Sequence, residues 1–164
     1  MKEILTQYAQ YNVWANKLVI DAMLALPTRK LNIEIESSFP TIKETALHVW
    51  SAEYIWLERL KQNPEPLWIQ SVFIGLAKEM CNNWQRTSGE LVSYIAGLDE
   101  AALKTFCSYS DRSGHTHTTP VWQVLQHVFN HSTYHRGQLI TMLRQAGATE
   151  IPGTDFIGFA RMHS

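Results

Sequence analysis

The chain has 164 residues, of which 45% are hydrophobic and 11% aromatic, enough for one domain with a full core that needs no covalent staple. Its formal net charge is −1 with neutral histidines, and it has no run of like charges. That excludes the basic stripe of a nucleic-acid binder and the polybasic patch of a membrane-surface protein. No stretch approaches the roughly 18 consecutive apolar residues of a transmembrane helix.

The opening Met1-Lys2-Glu3-Ile4 mixes polar and apolar residues at once, with no apolar signal core. Cys81 and Cys107 form no CxxC pair and read as free thiols, with a single disulfide as the alternative. A cytoplasmic protein is therefore expected.

Four helical segments follow from hydrophobic spacing. The first spans about Lys2 to Leu26, where Leu5, Tyr8, Tyr11, Ala15, Val19 and Ala22 recur at helical intervals and Pro27 stops the run. The second begins at Thr41, whose spacing to Glu44 matches a capping box, and runs to about Leu60 before Asn63-Pro64. The third covers about Gly75 to Gly97, after an ambiguous stretch from Pro64 to Ile74. The fourth opens at Thr118-Thr119-Pro120, read as a hydroxyl N-cap followed by proline in the first turn, and ends at Gly147. Between the third and fourth, Asp99 to His117 is a loop or a short hairpin turning near Ser113-Gly114. Glu150 to Ser164 reads as an irregular tail. The expected fold is all-α: one domain over residues 1–164, a four-helix bundle with a short irregular or hairpin insert between helices 3 and 4.

The histidines carry the chemistry. His127, His131 and His135 follow one another at intervals of four on the last long helix. Residues four apart differ by about 40° around a helix, so His131 and His135 stack on one face and can chelate one ion. Val121, Val124, Val128, Leu139 and Met142 mark the buried stripe of that helix, with His135 near its centre, His131 beside it and His127 towards its edge. An isolated pair of this spacing is more often surface decoration or a satisfied core pair. Two histidines on an apolar stripe, however, need partners, because an unpaired buried polar group costs about 1–3 kcal/mol. His48 on the second helix is the candidate third ligand. Three neutral imidazoles suit Zn²⁺, Ni²⁺, Fe²⁺ or Cu²⁺ rather than Mg²⁺ or Ca²⁺. Three protein ligands also leave a coordination position open, as in catalytic zinc sites.

The stretch from Thr119 to Gln138, with His131-Ser132-Thr133-Tyr134-His135-Arg136-Gly137-Gln138 at its end, resembles the signature helix of the DinB-like (damage-inducible) proteins. Leu47-His48-Val49-Trp50 resembles the helix that carries the family's first histidine. The resemblance extends over nearly the whole chain. It implies a four-helix bundle with a divalent metal, zinc or nickel, on His48, His131 and His135, and it implies a homodimer. The wider superfamily contains metal-dependent thiol transferases and hydrolases, so it implies a small-molecule substrate. The alternative is a non-catalytic, stress-related bundle dimer that binds a metal or ligand.

Several neighbours have two readings. His127 is a partner at the mouth of the site or a partly exposed histidine. Arg136 binds an anionic substrate group or forms an ion pair with a neighbouring helix, and the second fits better. Asn130, Tyr134 and Gln138 orient the ligating rings or simply pack. Glu53 is a general base or, being about 140° round its helix from His48, a surface or interhelical residue. His115, His117 and His163 are expected in solvent.

Overall fold

The computed structural model describes residues 1–162; His163, expected in a solvated tail, lies outside the described residues. Those residues form a mostly helical fold with six helices and one small antiparallel sheet. No helix among them is long and apolar enough to cross a membrane.

Helix α1 (Lys2–Ala25) buries Leu5, Ala9, Asn12, Asn16, Val19 and Met23, spaced three or four apart. Leu26 turns extended (φ −79°, ψ 148°), as the residue before a proline must when the ring of Pro27 crowds it. Helix α2 (Ile42–Leu60) starts where expected: Thr41 Oγ1 accepts the backbone N–H of Glu44 at 3.1 Å, satisfying one of the free amides of the first turn. The ambiguous linker contains the short α3 (Ile69–Val72), and α4 (Ala77–Ala96) follows.

The insert is a hairpin. Strand β1 (Phe106–Ser110) pairs with β2 (Thr116–Pro120), Phe106 opposite Pro120 and Ser110 opposite Thr116, and Gly114 supplies the positive φ (87°) of the turn. Thr118 and Thr119 therefore do not cap the last long helix. Their hydroxyls meet Ser108 Oγ (3.2 Å) and Tyr109 OH (3.3 Å) across the hairpin, and Pro120 takes the cap position of α5 (Val121–Gln145). Helix α5 ends in a Schellman motif: Gly147 has φ 89°, its N–H reaches Arg144 O, and Ala148 N–H reaches Leu143 O. The tail also departs from expectation. It forms α6 (Phe156–Met162), because Phe159 has an apolar seat against Tyr11 and Trp14, and Tyr11 OH donates to Thr154 O at 2.8 Å.

Helices α1 and α2 each pack on both α4 and α5. Besides the small cluster around Tyr11, Ala15 and Phe159, the interior holds two large apolar clusters. One contains Met23, Ile42, Met80, Trp84 and Leu139; the other contains Leu57, Leu91, Leu103, Val124 and Leu125. Between them in sequence on every long helix lie buried polar residues: Asn12 and Asn16 on α1, Glu53 on α2, Ser88 on α4, Ser132 and Arg136 on α5. Burying such groups is tolerable only if they satisfy one another.

Candidate metal centre

Helices α2 and α5 bring His48, His131 and His135 together, each offering a ring nitrogen, and these nitrogens lie within 4.8 Å of one another. The ring centroids are 4.5–4.9 Å apart. His135 is buried and the other two are half-buried. The i,i+4 spacing on α5 does what helix geometry requires, and His48 faces that ridge from the neighbouring helix.

Two of the rings have fixed tautomers. His48 Nδ1 lies 3.1 Å from Gln70 Oε1, and His135 Nδ1 lies 2.7 Å from Gln138 Oε1. An amide oxygen only accepts, so both Nδ1 atoms carry the proton and both Nε2 atoms keep a lone pair. Gln138 is itself held, donating from Nε2 to Ser38 Oγ at 2.7 Å, and Gln70 N–H donates to Ser51 Oγ at 3.1 Å. Phe39 covers the site, its ring 4.3 Å from His48 and 5.9 Å from His135.

His48 Nε2 stands 3.0 Å from His131 Nε2. Two ring nitrogens at that distance either share a hydrogen, donated by one ring to the lone pair of the other, or flank a metal ion. Imidazoles bound to zinc at about 2.0–2.1 Å in a tetrahedron sit about 3.3 Å apart, so the spacing suits an ion. Electrostatics agree. Burial, with the neighbouring histidines adding to it, pushes His131 down to about 3, and burial also lowers His48. Both are therefore neutral at pH 7, the form that binds a metal. His131 Nδ1 is buried with no hydrogen-bond partner, so this ring is held less well than the other two. These residues fit a divalent metal ion that takes nitrogen ligands.

Most neighbours take one of their two sequence readings. His127 is outward-facing, packed edge-on to Trp56 at 5.2 Å and 5.8 Å from the His131 ring. Gln138 does orient a ring, that of His135. Tyr134 makes an edge contact with His135 at 4.9 Å, while Asn130 lies exposed in the groove between α1 and α5. Glu53 takes the interhelical role and Arg136 is buried, where it donates to Asn12 and Asn16 rather than to a carboxylate. Cys81 is buried with its thiol pushed up to about 11, and both cysteines are free. His115 and His117 are exposed, bonded to Ser113 and Asp111 in the hairpin turn.

Gln70 is the partner that sequence reasoning missed. It lies in the one-turn α3, too short for any periodicity in the sequence to place it. Asn12, Asn16 and Ser132 were missed too, although polar residues four apart inside the apolar stripe of α1 were a readable signal.

Comparison with known proteins agrees with the geometry. The family model described as "DinB family" matches residues 1–163. A curated relative, Protein DinB of Bacillus subtilis, is 31% identical over 171 residues, covering 95% of this chain and 93% of that protein. Two solved structures share the fold at a TM-score of 0.68. One is a DinB-like protein of Bacillus cereus (22% identical, covering 89% of this chain and 94% of the other), and one a DinB-like protein of Bacillus subtilis (14% identical, covering 91% and 98%). The chain belongs to the DinB family.

Proposed function

We propose that this protein is a single-domain, cytoplasmic four-helix bundle that holds one zinc or nickel ion on His48, His131 and His135 and uses it in a thiol-group transfer or a hydrolysis. The observation that carries the reading is the convergence of three imidazoles, two of them oriented by amide oxygens so that Nε2 points inward. A divalent ion held there would supply Lewis acidity to an incoming water, thiol or carbonyl. The chain's own residues then divide the remaining work. Gln70 and Gln138 hold two ligand rings in place. Phe39 shields the rings from bulk water. His127, outward-facing with its pKa lowered by partial desolvation, is available to accept a proton at the outer edge of the site. Exposed Ile4 and Ile157 supply apolar surface for a homodimer.

One observation favours the non-catalytic alternative, a stress-related metal- or ligand-binding dimer. No carboxylate joins the three histidines among the described residues, and Glu53 is engaged elsewhere. The test is activity of untagged protein stripped of metal and then restored with Zn²⁺ or Ni²⁺, assayed with small thiols plus electrophiles and with simple amides and esters. The enzyme reading expects turnover that appears with metal and is lost in His131→Ala. Full turnover by stripped protein contradicts it. Metal uptake without turnover of any of these substrates supports the binding protein.

A further inference from the structure

The buried polar layer lies outside the donor set of the site, yet it touches the same two helices at the same level. Glu53 Oε1 accepts from Asn12 Nδ2 (2.8 Å), Asn16 Nδ2 (2.8 Å) and Ser132 Oγ (2.9 Å), and Oε2 accepts from Ser88 Oγ (2.6 Å). One carboxylate on α2 is thereby tied to α1, α4 and α5. Arg136 Nη1 returns from α5 to the Oδ1 atoms of the same two asparagines. Each carboxamide therefore bridges the buried anion and the buried cation, and its orientation is fixed at both ends.

We infer that this layer positions the metal ligands: Glu53, through Ser132 and the Asn12–Asn16–Arg136 bridge, sets the rotation and axial register of α5 so that His131 and His135 meet His48. The inference rests on the metal-site reading above. Ser132 directly follows His131, and Arg136 directly follows His135. The ridge 132/136 thus runs about 100° round α5 from the ridge 131/135, and pinning one aims the other. Apolar contacts alone give weaker register, because one aliphatic side chain can replace another after a slip. A slip of one residue moves α5 by about 1.5 Å and turns it by about 100°. Here it would strand Glu53 without Ser132 and Arg136 without its acceptors, inside a core where both are at most 1% exposed. Buried polar groups that fix register are a recognised device of helix packing.

The test is a Co²⁺ titration of untagged, metal-stripped protein, read by visible absorption and by competition with a chelator, alongside the thermal midpoint of the metal-free form. The variants are Ser132→Ala, Ser132→Thr and Glu53→Gln. Wild type is expected to bind one Co²⁺ per chain. Ser132→Ala is expected to bind about 10-fold more weakly, within the range for residues that support ligands, and with altered absorption bands. Ser132→Thr keeps the hydroxyl and restores wild-type affinity. Should Glu53→Gln not fold, the two Ser132 variants decide. Wild-type affinity and spectrum in Ser132→Ala, with only the midpoint lowered, overturns the inference and leaves the layer a stabilising role. Equal weakening in Ser132→Thr overturns it too, since the hydroxyl then does nothing. Wild type that takes up no Co²⁺ removes the metal reading itself, and the inference with it.

Discussion

Across the α2–α5 boundary His48 and His131 face each other through Nε2 atoms 3.0 Å apart, and Ser132, the next residue along α5, reaches Glu53 of α2 at 2.9 Å. The same pair of helices is thus joined twice at one level, once through the candidate ligands and once through a buried carboxylate.

The pH dependence of the metal-free protein follows from burial of the histidines. An unfolded histidine protonates near pH 6.5, whereas folded His131 resists until about 3, and His48 is lowered in the same direction. Between those values the unfolded chain binds more protons, so stability falls as pH drops. The urea midpoint of stripped protein is expected to be flat from pH 8 to 7 and to decline from about 6.5 to 5. A midpoint that holds steady or rises over the lower interval would show that these rings are not held neutral.

Gln70→Ala removes the acceptor for His48 Nδ1 while touching only the short α3, so the metal-free fold should be nearly unchanged. Metal affinity should drop by about 10-fold, measured by chelator competition. Gln138→Ala should act alike through His135. Wild-type affinity in both variants would mean that the rings are oriented by packing alone.

Glu53→Ala leaves Arg136 buried without its counter-charge and Asn12 Nδ2 without an acceptor, while Asn16 Nδ2 keeps only Ser88 Oγ. Removing one partner of a buried charged network costs roughly 3–5 kcal/mol. Urea denaturation of metal-free Glu53→Ala and Arg136→Met should show losses of that order in each. A loss below about 1 kcal/mol in both would show that the layer is dispensable for stability.

Much of this was legible in the residues. The long helices follow from spacing, stop residues and the Thr41–Glu44 cap, since an amphipathic stripe and a terminal hydroxyl are local signals. The histidine ridge on α5 was legible for the same reason. What escaped depended on tertiary partners. Thr118 and Thr119 have the chemistry of a helix cap, but a strand opposite them claimed their hydroxyls. The tail became α6 because Tyr11 and Trp14 offered Phe159 a seat that its own sequence does not announce. Glu53 looked like a base or a surface residue because its four donors come from three other helices, far away in sequence.

The most direct measurement is elemental analysis of untagged protein, wild type and His131→Ala, after equilibration with Zn²⁺ or Ni²⁺ and removal of the excess. One ion per chain is expected in wild type and none in the variant, with both folded by circular dichroism. A folded wild-type chain that retains no ion, or a variant that retains as much as wild type, contradicts this expectation.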